Sequence, residues 1–247
     1  MRLLIFSILI GSASLVFAQE NKLIKEVVIS GAKKETEKQE ISQTIDIISQ
    51  KELQFNSAGN TGDALQNTGI ITVQQSQNGG GSPIIRGFEA NRIGIVVDGV
   101  RMNTAIFRSG NLQQVLSIDP FSLRNTEILF GPGAVMYGSD AIGGVMVFET
   151  LRPDHENQEL KGNVASRFSS AYSEKTVHAD FNYGKGKWAF VTSASYFDFG
   201  DLKMGKNKGQ ASYLRSSFVD RVNGIDQEIP NSNPRKQIGT AYKQAIL

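Results

Sequence analysis

The chain has 247 residues, with 26 lysines and arginines against 24 aspartates and glutamates, 25 glycines, no cysteine and 20% charged residues. A hydrophobic share of 40%, including 14 Phe, 6 Tyr and 1 Trp, is enough to build a core for one or two domains. The net charge of +2, with signs interspersed, offers no basic face for phosphate neutralisation, so no nucleic-acid partner is expected. The absence of cysteine removes disulfides, thiolate metal sites and cysteine nucleophiles, and His155 and His178 are too few for a three-histidine zinc site.

Arg2, an apolar run from Leu3 to Ile10, and Leu15-Val16-Phe17-Ala18 ahead of polar Gln19 read as a signal peptide cut after Ala18. The apolar core is shorter than the roughly 20 residues that cross a bilayer, which weighs against the alternative of an anchor helix. Residues 19–40 form a polar leader with one β-prone patch, Glu26-Val27-Val28-Ile29-Ser30. On the residues alone such a patch reads as an ordinary first strand, with strand addition to a partner's sheet edge as the alternative.

Ile41 to Ile48 is a strand candidate, and Ser49-Gln50-Lys51-Glu52 is a capping box that should start a short helix. A second helix fits Gly62 to Asn67, with Thr61 as its cap and Gly69 as its stop. Further strands are expected at Ile70 to Val73, Pro83 to Phe88, Arg92 to Val97, Glu127 to Phe130 and Gly144 to Phe148, together a compact α+β unit. Asp98-Gly99 signals a turn, and Asp119-Pro120 the start of a short helix.

After Pro153 the pattern changes to period two. Leu160, Gly162, Val164, Ser166 and Phe168 alternate with Lys161, Asn163, Ala165, Arg167 and Ser169, and Val177, Ala179, Phe181 and Tyr183 alternate with Thr176, His178, Asp180 and Asn182. Gly184 to Lys187 is a tight turn into a third strand, Trp188 to Phe199. Strands of about ten alternating residues joined by short turns fit an outer-membrane β-barrel, or a soluble sheet with one buried face. The signal peptide and the aromatic residues near strand ends (Tyr172, Tyr183, Trp188, Phe199) favour the membrane.

No catalytic constellation emerges, so the chain is not expected to be an enzyme. Gly131-Pro132-Gly133-Ala134-Val135-Met136 fails the dinucleotide spacing because Met136 replaces the third glycine, and no phosphate loop or serine elbow occurs. Asp98, Asp119 and Asp140 adjoin turn residues, where capping is the ordinary role. His178 falls on the polar face of its strand, and it lies 23 positions from His155, so no metal site is expected.

Three separated motifs do stand out: Arg86-Gly87-Phe88-Glu89-Ala90-Asn91-Arg92; Val97-Asp98-Gly99-Val100-Arg101-Met102-Asn103; and Phe130-Gly131-Pro132-Gly133-Ala134-Val135-Met136-Tyr137-Gly138 through Gly143-Gly144-Val145. In this order they resemble the plug domain of TonB-dependent outer-membrane receptors, over roughly Glu26 to Thr150, with the haem, haemoglobin and transferrin receptor branch nearest through residues 100–108 and 201–205. The resemblance implies an α+β plug (41–150), then the first antiparallel strands of a transmembrane barrel (151–247), in outer-membrane lipid. It further implies active import, with no permanently bound cofactor and with haem or another iron complex, free or on a carrier protein, as transported ligand. Residues 26–30 would be the segment gripped by a TonB-type inner-membrane energy complex. Arg86 would pair with carboxylates of the barrel wall, and the loop around Arg108 and Asn111 would contact ligand.

Two positions depart from the family pattern. Arg124-Asn125 stands where a Glu-Arg pair is usual, and Asn111 where related haem receptors carry a histidine; an asparagine does not ligate haem iron as imidazole does. A plugged transporter has about 22 strands, several hundred residues more than follow Thr150, so the chain is expected to be a fragment of a longer receptor or a truncated product without transport activity, with a secreted soluble β-rich binding or adhesion module without energy coupling as the alternative.

Overall fold

In a computed structural model of the chain, the described residues are 27–28, 36–37, 44–55, 58–77, 80–89, 92–102, 115–138, 141–155, 159–205 and 214–247. The segment expected to be a signal peptide, Glu26, Ile29, Ser30, Arg108 and Asn111 lie outside them. β1 (Val27–Val28) pairs antiparallel with β2 (Thr36–Glu37), Val27 opposite Glu37.

The α+β plug begins with β3 (Ile45–Ser49), which runs directly into α1 (Gln50–Phe55). The capping box forms as expected: the Ser49 amide donates to Glu52 Oε2 at 2.7 Å, and the Glu52 amide to Ser49 Oγ at 3.4 Å. α2 (Thr61–Asn67) is capped by Asn60, not by Thr61. Asn60 keeps extended backbone and its Oδ1 accepts the Asp63 amide at 2.8 Å. Thr61 is already helical, and its hydroxyl donates instead to the Ile118 carbonyl.

β4 (Thr72–Gln77), β5 (Gly80–Ile85) and β6 (Phe88–Glu89) form a small antiparallel sheet. The single strand expected over Pro83 to Phe88 is therefore two, split at Arg86-Gly87, and the first strand starts at Thr72 instead of Ile70. The main sheet has the order β3-β9-β10-β7-β8, with β7 (Ile93–Val97), β8 (Val100–Arg101), β9 (Leu123–Phe130) and β10 (Gly144–Thr150). β10 runs parallel to β7 and antiparallel to β9. Its alternate residues feed two cores: Met146 and Phe148 join Leu53, Leu65, Ile93 and Ile128 on the helical side, and Val145 and Val147 join Val96, Leu129 and Ala134 on the other. The helix expected at Asp119-Pro120 is only a turn, closed by the Phe121 amide on Asp119 Oδ1 at 2.9 Å. Its short connection leads straight into β9, which leaves no room for a second helical turn.

The period-two region is a sheet of order β11-β12-β13-β16, antiparallel throughout: β11 (Lys161–Ser169), β12 (Glu174–Lys185), β13 (Trp188–Phe199) and β16 (Tyr242–Ile246). A separate hairpin of β14 (Ser217–Val222) and β15 (Ile225–Pro230) interrupts the connection to β16. No helix among the described residues is long and apolar enough to cross a membrane, whereas these strands present apolar Val164, Phe168, Val177, Phe181, Trp188 and Phe190 outward and exposed. Thr176, His178, Asp180 and Ser195 face inward and are buried against the plug. Of the aromatic residues expected at strand ends, Tyr183 and Trp188 face out. Phe199 has the opposite parity and is buried, stacked between Phe197 and Tyr242, with Tyr172 edge-on against it.

Phe148 is fully buried in the larger core, so Phe148→Ala should cost about 3–5 kcal/mol, against about 1 kcal/mol for Asn60→Ala at the helix cap. Denaturant unfolding of the two variants beside the parent checks both the size and the order.

Candidate functional site

The three glycine motifs converge on the strand β10. Arg86 (φ 50°) and Gly87 (φ 84°) make the two-residue turn between β5 and β6, the left-handed pair that suits a tight hairpin. The turn points the Arg86 guanidinium over the Phe130 ring, 4.4 Å from its centroid, a cation–π contact inside the plug. Phe88, just after the turn, lies against Gly143: a Cβ there would stand 2.3 Å from the Phe88 Cβ. Gly144 leads β10 with φ 149°, and a Cβ would meet the Leu129 carbonyl at 2.8 Å. Glycine at 143 and 144 is thus what lets the start of β10 close against β6 and β9.

Asp98 (φ 48°) and Gly99 (φ 83°) repeat the same turn between β7 and β8. The Asp98 carboxylate accepts the Thr150 amide at 2.9 Å and the Thr150 hydroxyl at 2.7 Å, pinning the end of β10 where the chain leaves the plug. Gly131, Pro132 and Gly133 open a 3-10 helix, Gly131–Tyr137, that carries the chain from β9 towards β10. Gly138 follows at φ 119°, and the space a side chain would fill is taken by the Arg101 guanidinium, 2.6 Å from the position of a Cβ. Burial, with the charges of Glu127 and Glu149 added, pushes the Tyr137 phenol up to about 12. Burial also raises Glu149 above its ordinary range; Glu127 and Asp98 add to that, and Arg152, 3.2 Å away, opposes it together with Arg124.

Among the described residues the plug meets the wall at two polar places. At the first, Glu174 is fully buried and pairs with Arg167 on the neighbouring strand, and accepts the Thr176 hydroxyl at 2.9 Å. Gly59 of the plug backs onto this pair, with Arg167 Nη1 2.9 Å from where its Cβ would be. At the second, the turn after Ile118 presses onto the inner face of β12 and β13. Ser195 Oγ donates to Asp119 Oδ2 at 2.5 Å, His178 Nδ1 lies 2.6 Å from Ser195 Oγ, and His178 Nε2 lies 3.1 Å from Asp180 Oδ2. The Phe121 ring stacks on the imidazole, centroids 4.9 Å apart. Sequence reasoning placed His178 on a polar face and Asp119 at a turn. It missed their meeting, because nothing in the sequence sets the register of a plug turn against a wall 76 positions away in Ser195.

Glu149 supplies a pH-dependent prediction. Its folded-state value is raised, so its contribution to stability is present below the ordinary carboxylate range and is lost as pH rises through the raised value. Glu149→Gln should therefore raise the neutral-pH unfolding temperature relative to the parent, and the gap should close on mild acidification. Thermal unfolding at a series of pH values measures it.

Residues 37–145 match the model of the TonB-dependent Receptor Plug Domain. The chain is 31% identical over 220 residues, 87% of its length, to the vitamin B12 transporter BtuB of Vibrio vulnificus strain CMCP6, and 31% identical over 135 residues to the hemin receptor of Yersinia pestis. It spans 36% of the first and 19% of the second. Among solved structures it superposes on the FrpB iron transporter of Neisseria meningitidis with a TM-score of 0.61 at 15% identity, covering 81% of this chain and 28% of that one. On the pyoverdine outer membrane receptor FpvA of Pseudomonas aeruginosa the TM-score is 0.59 at 18% identity, covering 72% and 25%. These relatives are transporters and receptors, and none is named as an enzyme. Residues 37–145 thus match the TonB-dependent receptor plug domain, and the antiparallel strands that follow share the fold of the solved iron transporter and pyoverdine receptor.

Proposed function

We propose that the chain is part of an energised outer-membrane receptor that imports an iron-containing ligand, haem or haemoglobin-type, by coupled movement of the plug. On this reading residues 1–18 are a cleaved signal peptide, 19–40 the periplasmic leader, 41–150 the plug and 151–247 the first part of the barrel. Val27 and Val28, with Glu26, Ile29 and Ser30, form the segment gripped by a TonB-type energy complex through added strand hydrogen bonds. Arg86 pairs with carboxylates of the barrel wall, and the loop around Arg108 and Asn111 contacts ligand.

The observation that carries the reading is the inverted sheet. In β12 apolar Val177, Phe181 and Tyr183 are exposed, with Lys175 and Lys185 towards its ends, while Thr176, His178 and Asp180 are buried. A soluble sheet buries its apolar face; one that exposes it and buries carboxylates has lipid outside and a polar filling within. Among the described residues the wall sheet has four strands, too few to close a barrel, which supports reading the chain as part of a longer receptor. A cobalamin-type cargo is the second reading, favoured by the match to a vitamin B12 transporter along 87% of the chain.

Single cysteines at Val177 and Phe181 should label with a lipid-resident probe in outer membranes, and cysteines at Thr176 and Ser195 should not. Equal labelling of both faces would sink the barrel reading. Separately, Val28→Pro in the full-length receptor should leave surface binding of haemin intact and reduce its uptake to the level of cells lacking the energy complex. Parallel uptake of labelled haemin and cobalamin decides between the two cargoes.

A further inference from the structure

The cluster at the second plug–wall contact has a proton count that its geometry imposes. Ser195 has one hydroxyl proton and donates it to Asp119 Oδ2. Its oxygen is then the acceptor for His178 Nδ1 at 2.6 Å, so Nδ1 carries a proton. On the other side of the ring, Nε2 and Asp180 Oδ2 stand 3.1 Å apart, a hydrogen-bond distance that two bare lone pairs do not keep. A hydrogen bond across that gap needs a second proton, on the ring or on the carboxyl. Asp180 is further held by Asn163 Nδ2 of β11, at 3.2 and 3.3 Å from its two oxygens.

These are the groups that face the imidazole: Asp119 from the plug turn, with Phe121 stacked on the ring; Asp180 on its own strand; Ser195 on β13; Asn163 behind Asp180 on β11. Asp119, His178 and Asp180 are all buried, and among the described residues they form no group suited to hold a metal ion. The ring sits between two carboxylates, 4.0 Å from Asp119 Oδ2 at Nδ1 and 3.1 Å from Asp180 Oδ2 at Nε2.

Removing one proton forces a choice. If Ser195 keeps its bond to Asp119, the bare Nε2 faces the Asp180 carboxylate. If the ring instead donates through Nε2 to Asp180, Nδ1 becomes an acceptor and takes the Ser195 proton. The bond that joins plug to wall is then the one lost, and a buried carboxylate stands opposite a hydroxyl lone pair. We propose that Asp119, Ser195, His178 and Asp180 form a proton-dependent clasp between plug and wall, and that the seated plug holds one proton more than the same groups hold when separated in water. Seating then weakens as pH rises, because the seated state is the one with more protons bound. The inference rests on the contact between plug and wall and is independent of which ligand is carried.

Asp119→Asn gives a discriminating variant. An asparagine amide donates to Ser195 Oγ, Ser195 donates to a neutral Nδ1, and Nε2–H donates to Asp180, so the chain of bonds is complete without the extra proton. Hydrogen exchange of residues 115–123, corrected for its intrinsic pH dependence, is measured in the full-length receptor in outer-membrane vesicles from about pH 6 to 9. Protection in the parent should fall with pH, by up to about tenfold per unit for one proton. Asp119→Asn should keep its protection and lose the pH dependence, and Ser195→Ala should be weakly protected throughout, with exchange of β10 unchanged in all three. A flat profile in the parent, or an Asp119→Asn profile as steep as the parent's, overturns the proposal. Should the variants fail to fold, the parent profile alone decides.

Discussion

A sheet that carries its apolar side chains outward leaves its inner face to be filled by something polar. In β11, β12 and β13 the backbone is paired strand to strand, as hydrocarbon requires, but Arg167, Glu174, His178, Asp180 and Ser195 point the other way. Charged and hydrogen-bonding groups buried without partners cost several kcal/mol each. Some of the answer lies within the wall: Arg167 and Glu174 face each other across adjacent strands. The rest needs the plug, whose turn at Asp119 brings a carboxylate to Ser195 and an aromatic ring to His178. The position of the plug follows from the chemistry of the wall it fills.

The plug in turn is organised by a single strand. β10 has neighbours on both edges and a core on both faces, so it tolerates neither bulk at its start nor slack at its end. Gly143 and Gly144 meet the first demand, since Phe88 and the Leu129 carbonyl occupy the space of their missing side chains. Asp98 meets the second through two hydrogen bonds to Thr150. What reads in the sequence as a glycine-rich signature is, residue by residue, a set of solutions to the close packing of one strand.

This explains which features were legible. Period-two alternation gave the wall strands and their faces, because parity is a property of the chain alone. The Ser49–Glu52 box and the Asp98–Gly99 turn were legible for the same local reason. The cap at Asn60 was missed because Asn60 and Thr61 are both good caps, and a contact 57 positions away, to the Ile118 carbonyl, holds Thr61. Phe199 looked like a membrane-interface aromatic, yet counting from outward-facing Tyr196 puts it inside, where Phe197 and Tyr242 receive it. The Arg86-Gly87 turn was hidden in a run of residues otherwise suited to one strand, and it shows only in two successive positive φ angles.

The two polar contacts between plug and wall are not equivalent. Arg167 and Glu174 both belong to the wall, so when Gly59 backs away from them their pairing survives and no charge is left alone. Asp119 belongs to the plug and its hydrogen-bond donor Ser195 to the wall, so separation breaks that bond and exposes a carboxylate. Apolar contact would hold a plug in proportion to area, roughly 25 cal/mol per Å², with little preference for one register. A buried polar cluster adds little net stability and yet demands donor and acceptor within tenths of an ångström. On the proposed reading, in which the plug has to seat in one place and still come away, the second kind of contact is the one that reconciles the two requirements, and among the described residues it is concentrated at the plug turn around Asp119.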